Sequence, residues 1–246
     1  TLAVTDHDTV AAVPEVFAAA HAAGLVAVAG IEVTAVHAGL DVHVLGYFFD
    51  PESQRLNAFL DRQREDRRRR VLEIAGRLDA LGAPVDRAAL TANAAQPGKS
   101  LGRPVVAAAL IAAGHVRDIA EAFDRYLSPG APAFVERIGA PPADVVRLIG
   151  EAGGLAAIAH PGKSNMDDLI PAMVDAGMAA IEVFHSDHSV ADVRRYQETA
   201  SQFGLLVTGG SDYHGPGTGR AAHLGRVGIS EDAFAALVDR ARAKPS

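Results

Sequence analysis

The sequence contains no cysteine, which excludes disulfides, zinc–thiolate sites and cysteine-dependent phosphatase chemistry together. Any metal ion must then be held by His and carboxylate. Apolar runs of the roughly 18 residues that span a bilayer are also missing, and no basic flank leads into a short apolar segment at the start, as it does in a signal peptide. We therefore expect a soluble, cytoplasmic protein with no membrane partner. The net charge of −7 offers no overall positive surplus for duplex DNA, which leaves only a local basic groove for a nucleotide or a short single strand. There is no G-x-S-x-G elbow and no H-E-x-x-H, against a serine hydrolase or a zincin protease. "PGKS" occurs at 97–100 and again at 161–164, but the Gly that a P-loop requires five residues before its last Gly is Asn93 in one case and Ala157 in the other.

What is present is a chain of 246 residues, 49% hydrophobic, large enough for a sizeable core. Short β-like runs at 2–5, 26–31, 41–47, 155–159, 180–184 and 205–208 each carry or lead into ionisable residues. Patterns of helical period fill 10–23, 142–152, 166–176, 189–203 and 231–243. Alternation of this kind predicts a mostly parallel sheet, open or closed into a barrel. From 51 to about 132 no strand is expected. A long helix begins at Leu56, Phe59 and Leu60 and resumes its apolar stripe at Val71, Ile74, Ala75, Leu78 and Leu81, with "DRQREDRRRR" between. That middle reads either as a solvated face of mixed charges at helical spacing or as an Arg-rich face over an anionic substrate. Further helices are expected at 103–113 and 118–126.

His7, Glu32, His160, Asp212 and His214 fall at the ends of these runs, and His43 lies within one. In a parallel α/β barrel such ends share one face, so residues far apart in sequence meet in one pocket. One ion needs three or four protein ligands; six nitrogen and oxygen donors point to more than one, and suit Mn²⁺, Zn²⁺ or Fe²⁺. The natural chemistry of such a site is hydrolysis of a phosphate ester by a metal-activated water. Asp6 and Asp8 are expected to orient His7 or to cap the following helix. His185 and His188 in "HSDHS" read as rim or helix-capping residues first, and "GPGTG" at 215–219 reads as a turn whose N–H groups could cradle phosphate.

"TLAVTDHDTV", "GIEVTA" with "DVHVLGYFFD", "IAHPGK" and "GGSDYHG", in this order, resemble the successive motifs of the PHP (polymerase and histidinol phosphatase) metal-dependent phosphoesterases, and most of all the nucleoside 3′,5′-bisphosphate phosphatase and 5′–3′ exoribonuclease group. "LGRPVVAAALIAAGHV" and "AFDRYLSPGAPAFV" resemble that group's helical insertion. The resemblance implies a distorted (β/α)7 barrel formed by 1–50 and 133–246, with an all-helical insertion at 51–132. It also implies a centre of up to three divalent ions, Mn²⁺ first and Zn²⁺ or Fe²⁺ as alternatives. The ligands would be His7, Glu32, His43, His160, Asp212 and His214, with His7, His160, Asp212 and His214 as the catalytic set. Arg103 of "LGRP" and Lys163 of "HPGK" would contact the phosphate of a nucleotide or short single-stranded RNA. The family begins with a strand ending in His-x-His, followed by an Asp, and these three ligands are not in this sequence. We therefore expect that the first strand is missing and that this chain holds part of the metal cluster. The alternative reading is a catalytically impaired barrel that binds nucleotides or a protein partner.

Overall fold

The computed structural model describes residues 1–94, 101–215 and 221–243. Its frame is a five-stranded mixed sheet in the order β1 (Gly30–His37), β2 (Leu40–Tyr47), β3 (Leu155–Ile158), β4 (Ala180–His185), β5 (Leu206–Gly210). The first two strands form a hairpin in register from Gly30 opposite Tyr47 to His37 opposite Leu40. Two residues, Ala38 and Gly39, connect them, both at positive φ (49° and 77°). That is the backbone shape of a tight hairpin turn, and two residues are far too few for the crossover that parallel pairing needs. The mostly parallel sheet expected from the strand–helix alternation is therefore found only in its second half. β2 pairs with β3 antiparallel, and β3, β4 and β5 run parallel to one another.

The run 2–5 forms no continuous strand. Single parallel bridges join Leu2 to Ala27 and His7 to Glu32, so the first seven residues lie along the chain leading into β1. Among the described residues the sheet is not closed into a barrel.

The helices are α1 (Val13–Ala22), α2 (Gln54–Ala80), α3 (Arg87–Ala94), α4 (Arg103–Ala112), α5 (Ile119–Ala122), α6 (Pro142–Glu151), α7 (Pro161–Ser164), α8 (Ile170–Asp175), α9 (Val190–Phe203) and α10 (Glu231–Arg242). α5 runs on into a π-helical turn, Phe123–Leu127, and a 3₁₀ turn, Asp167–Leu169, leads into α8. Their ends follow local chemistry. Ser189 and Asp192 form a reciprocal capping box at the start of α9, and Gly204 ends it in the left-handed conformation. Ser230 caps α10 through its side chain alone, accepting the Ala233 N–H.

Two apolar clusters share α2. Leu56 and Leu60, in its first two turns, pack with Ile31, Val33, Val44, Ile149 and Ile158 of the sheet core. Val71, Ile74, Ala75 and Leu78, in its second half, pack with Leu90, Val106, Leu110 and Leu127 of the helical region. At about 1.5 Å per residue its 27 residues reach some 40 Å, so one rod belongs to both cores. The apolar-free stretch between them divides by face. Arg64 with Asp61, and Arg69 with Asp66 and Glu73, are exposed ion pairs at helical spacing. Gln63 and Arg70 turn inward, donating to the backbone oxygens of Thr34 (2.7 Å) and Val135 (2.8 Å).

Candidate metal centre

The hairpin supplies the floor of the site. Thr34 stands directly opposite His43, and residues two apart on a strand share a face, so Glu32, Thr34 and His43 project from the same side of the sheet. His7 arrives beside Glu32 through its bridge, secured by backbone hydrogen bonds from Asp8 to Glu32 (2.9 Å) and from Glu32 to Asp6 (3.1 Å). His160 follows β3. His43 accepts the Ala159 N–H at 3.0 Å, which carries the next residue to the same place.

Three imidazoles converge on one carboxylate. Glu32 lies 2.6 Å from His43 Nδ1, 3.2 Å from His160 Nε2 and 3.7 Å from His7 Nδ1. The rings follow one another in a row: His214 to His7 at 5.8 Å between centroids, His7 to His43 at 4.9 Å, His43 to His160 at 5.2 Å and His160 to His185 at 5.4 Å. Asp212 joins the two ends of this row, 3.5 Å from His185 Nε2 and 3.5 Å from Lys163 Nζ. His214 Nδ1 turns back to the Asp212 backbone oxygen at 2.8 Å. The six expected ligands therefore lie in one neighbourhood, and so does Lys163. Arg103 makes its contacts in the helical region, over the rings of Phe123 and Phe134 and to the Leu127 oxygen at 3.3 Å.

The electrostatics suit cations. Burial alone would raise the Glu32 carboxyl, but hydrogen bonds from His160 and His43 outweigh it and hold the group well below the usual carboxylate range. Burial lowers the His7 and His185 rings, which keeps both neutral. The nitrogens His7 Nδ1 and His160 Nδ1 are buried without a hydrogen-bond partner among the described residues, an arrangement that costs about 1–3 kcal/mol per group unless something else meets it. His7, Glu32 and His43 each offer a donor atom within 4.8 Å of the others, and a nitrogen of His185 lies within the same distance of carboxylate oxygens of Asp187 and Asp212. Imidazole and carboxylate donors at this density fit divalent transition ions.

Several residues act here in roles the sequence reading did not assign. Asp8 neither orients His7 by contact nor caps α1, whose N-cap is Ala12. It is 1% exposed and accepts hydrogen bonds from the Thr34 N–H (2.7 Å), Arg67 Nε (2.8 Å) and Arg137 Nη2 (3.2 Å). His185, expected at the rim, lies inside the cluster. Glu182, in the middle of β4, is buried and accepts the His160 N–H at 2.7 Å. Burial, opposed by that hydrogen bond, pushes its carboxyl up to about 8. The second "PGKS" forms α7, while the first lies outside the described residues, as does all of 215–219 except Gly215.

No protein-family model matches the chain. Individual relatives do. It is 35% identical over 237 residues to a 3′,5′-nucleoside bisphosphate phosphatase of Chromobacterium violaceum, an alignment covering 94% of this chain and 81% of that protein. The chain belongs to the PHP family of metal-dependent phosphoesterases. A phosphoribosyl 1,2-cyclic phosphate 1,2-diphosphodiesterase of Eggerthella lenta is also 35% identical, over 91% of this chain and 86% of its own. A 5′-3′ exoribonuclease of Haemophilus influenzae is 32% identical over 87% and 79%. Among solved structures, one assigned as a metal-dependent phosphoesterase from Bifidobacterium adolescentis superposes with a TM-score of 0.84 at 29% identity, covering 97% of this chain and 85% of that one. As a member of this family the PHP chain is a hydrolase of phosphate esters that depends on divalent metal ions. Among its described residues no helix is long and apolar enough to cross a membrane.

Proposed function

We propose that the protein removes phosphate from nucleoside 3′,5′-bisphosphates, or nucleotides from the 5′ ends of short single-stranded RNA. In this reading up to three divalent ions, Mn²⁺ first, are held by His7, Glu32, His43, His160, Asp212 and His214, the ligand set that the family resemblance implies. The observation that carries it is the convergence of His7, His43 and His160 on the ionised Glu32, with the buried Nδ1 atoms of His7 and His160 meeting no hydrogen-bond partner among the described residues. Ions bound there would activate water for attack on phosphorus and neutralise charge on the phosphoryl oxygens.

The chain's own residues would hold the substrate. Lys163, beside Asp212, is close enough to the cluster to bind a phosphate oxygen. Arg103 shares its surroundings with Arg70, and Arg70 with Arg67 and Arg137. The acids beside this group are Asp8 and Asp41, so positive charge is in excess, as recognition of a second phosphate requires. The division into a sheet-bearing part, 1–50 and 133–246, which the family resemblance reads as a distorted (β/α)7 barrel, and an insertion at 51–132 is part of the same proposal; the separate apolar cluster of the helical region supports the insertion.

The test is Mn²⁺-dependent release of inorganic phosphate from adenosine 3′,5′-bisphosphate, and of mononucleotide from a 5′-phosphorylated oligoribonucleotide. Turnover should vanish on chelation and fall below detection in His160→Ala and in Asp212→Ala. Unchanged turnover in either variant would overturn the assignment.

A further inference from the structure

β4 runs between the two strands that end in site residues: β3 leads to His160 and β5 to Asp212. Both residues are held at positive φ, 30° and 50°, a conformation costing of order 1–3 kcal/mol each that persists only when neighbours impose it. The neighbours come from β4 and its turn. Glu182 accepts the His160 N–H. His188 Nε2 accepts the Gly162 N–H at 3.2 Å, and its Nδ1 donates to the Val183 oxygen at 2.8 Å. A Cβ on Gly162 would sit 2.9 Å from His188 Cδ2, so this approach requires glycine.

His185 faces the other side, and its protonation pattern can be read from its partners. The Asp187 N–H donates to His185 Nδ1 at 3.1 Å. Nδ1 is therefore an unprotonated acceptor, and in a neutral ring the proton must sit on Nε2. That nitrogen lies on a side chain with no exposed surface, 3.5 Å from Asp212 Oδ2. A protonated ring nitrogen has no lone pair for a cation, which leaves the role of donor to the carboxylate. Resting on the metal-centre reading above, we infer that His185 is a positioning residue that aims its Nε2–H at Asp212, while Glu182 and His188 hold the His160 loop. His188 carries its proton on the opposite nitrogen, Nδ1, for the same kind of reason.

The experiment needs no catalysis. In metal-free protein labelled with ¹⁵N-histidine, long-range ¹H–¹⁵N correlation reports the tautomer of each ring, assigned by the signals lost in His185→Leu and His188→Leu. The expected result is Nε2–H for His185 and Nδ1–H for His188, with His185 keeping its proton when Zn²⁺ is added. By calorimetry His185→Leu should bind Zn²⁺ about 10–100-fold more weakly, and His185→Gln, which restores an N–H at that position, should recover most of the loss. A proton on His185 Nδ1, loss of the Nε2 proton on adding Zn²⁺, or unchanged Zn²⁺ affinity in His185→Leu would each overturn the inference. If the wild-type protein binds no Zn²⁺ or Mn²⁺, the metal reading fails instead, and the tautomer still decides whether His185 donates.

Discussion

Glu182 is a carboxylic acid placed where its charge is unwelcome: fully buried, with Glu32 and Asp212 nearby. Its folded-state pKa of about 8 lies above the roughly 4.3 of an unfolded Glu. The native state then keeps a proton that the unfolded chain releases, and this group's contribution to stability is lost as pH rises through that window. His7 and His185, whose pKa values are lowered by burial, act in the opposite sense as pH falls below about 6.5. The informative quantity is therefore the difference between two proteins. In denaturant melts with chelator from pH 5 to pH 8, Glu182→Gln should gain stability relative to wild type as pH rises, since its amide oxygen still accepts the His160 N–H. Parallel curves would contradict the assigned shift. The sequence carried a sign of this residue that went unread: an acid in the middle of the apolar run "AAIEVFH" has no solvent to face. His185 obeys the same strand-end rule that picks out His160, and the rule alone does not separate a rim or capping residue from one inside the cluster.

At the scale of elements, one carboxylate adds an ionic tie to the apolar packing between α2 and the sheet. Asp8 lies between Arg67 and Arg137, and their charges, aided by the Thr34 N–H, hold it below the usual carboxylate range against the cost of burial. Removing one partner of a buried ion pair leaves the others uncompensated, at about 3–5 kcal/mol. Asp8→Asn should therefore destabilise the protein by an amount of that order at pH 7, with the gap narrowing below about pH 4 as Asp8 of the unfolded wild-type chain takes up its proton, and closing only when the native carboxylate follows. Arg69→Ala, which breaks only exposed pairs, should change stability by about 0.5 kcal/mol or less. Urea unfolding at pH 7 and pH 3.5 separates the two cases. The Arg-rich stretch was read as a choice between a solvated face and a functional one, and α2 is long enough to present both. Periodicity could not decide which arginines turn inward, because their partners Asp8, Thr34 and Val135 lie far away in sequence. The hairpin was missed for a more local reason. Ala38-Gly39 is a weaker turn signal than Asn-Gly or Asp-Gly, so 26–31 and 41–47 read as strands of a parallel sheet when the first of them begins in earnest only at Gly30.

For the whole molecule, the shared helix predicts how the protein comes apart. Leu78 is fully buried in the second apolar cluster, so Leu78→Ala should cost about 2–5 kcal/mol. Because α2 also carries Leu56 and Leu60 in the sheet core, fluorescence and circular dichroism should report one coincident transition in the variant. Two separated transitions would show that the cores unfold independently. The strand–helix rhythm, the all-helical middle and the meeting of His7, Glu32, His43 and His160 could all be read from local pattern. The mixed sheet order and the supporting shell could not, since they depend on contacts between distant segments. The same helix bears on any exchange of parts between relatives in this family. A helical region transplanted from a junction ahead of α2 would carry Leu56 and Leu60 into a sheet core they were not selected to fit. A seam inside α2 just past Arg67, at the exposed Arg68 and Arg69, leaves each core with its native half of the helix, keeps Arg67 with Asp8, and is the better place to join a chimera.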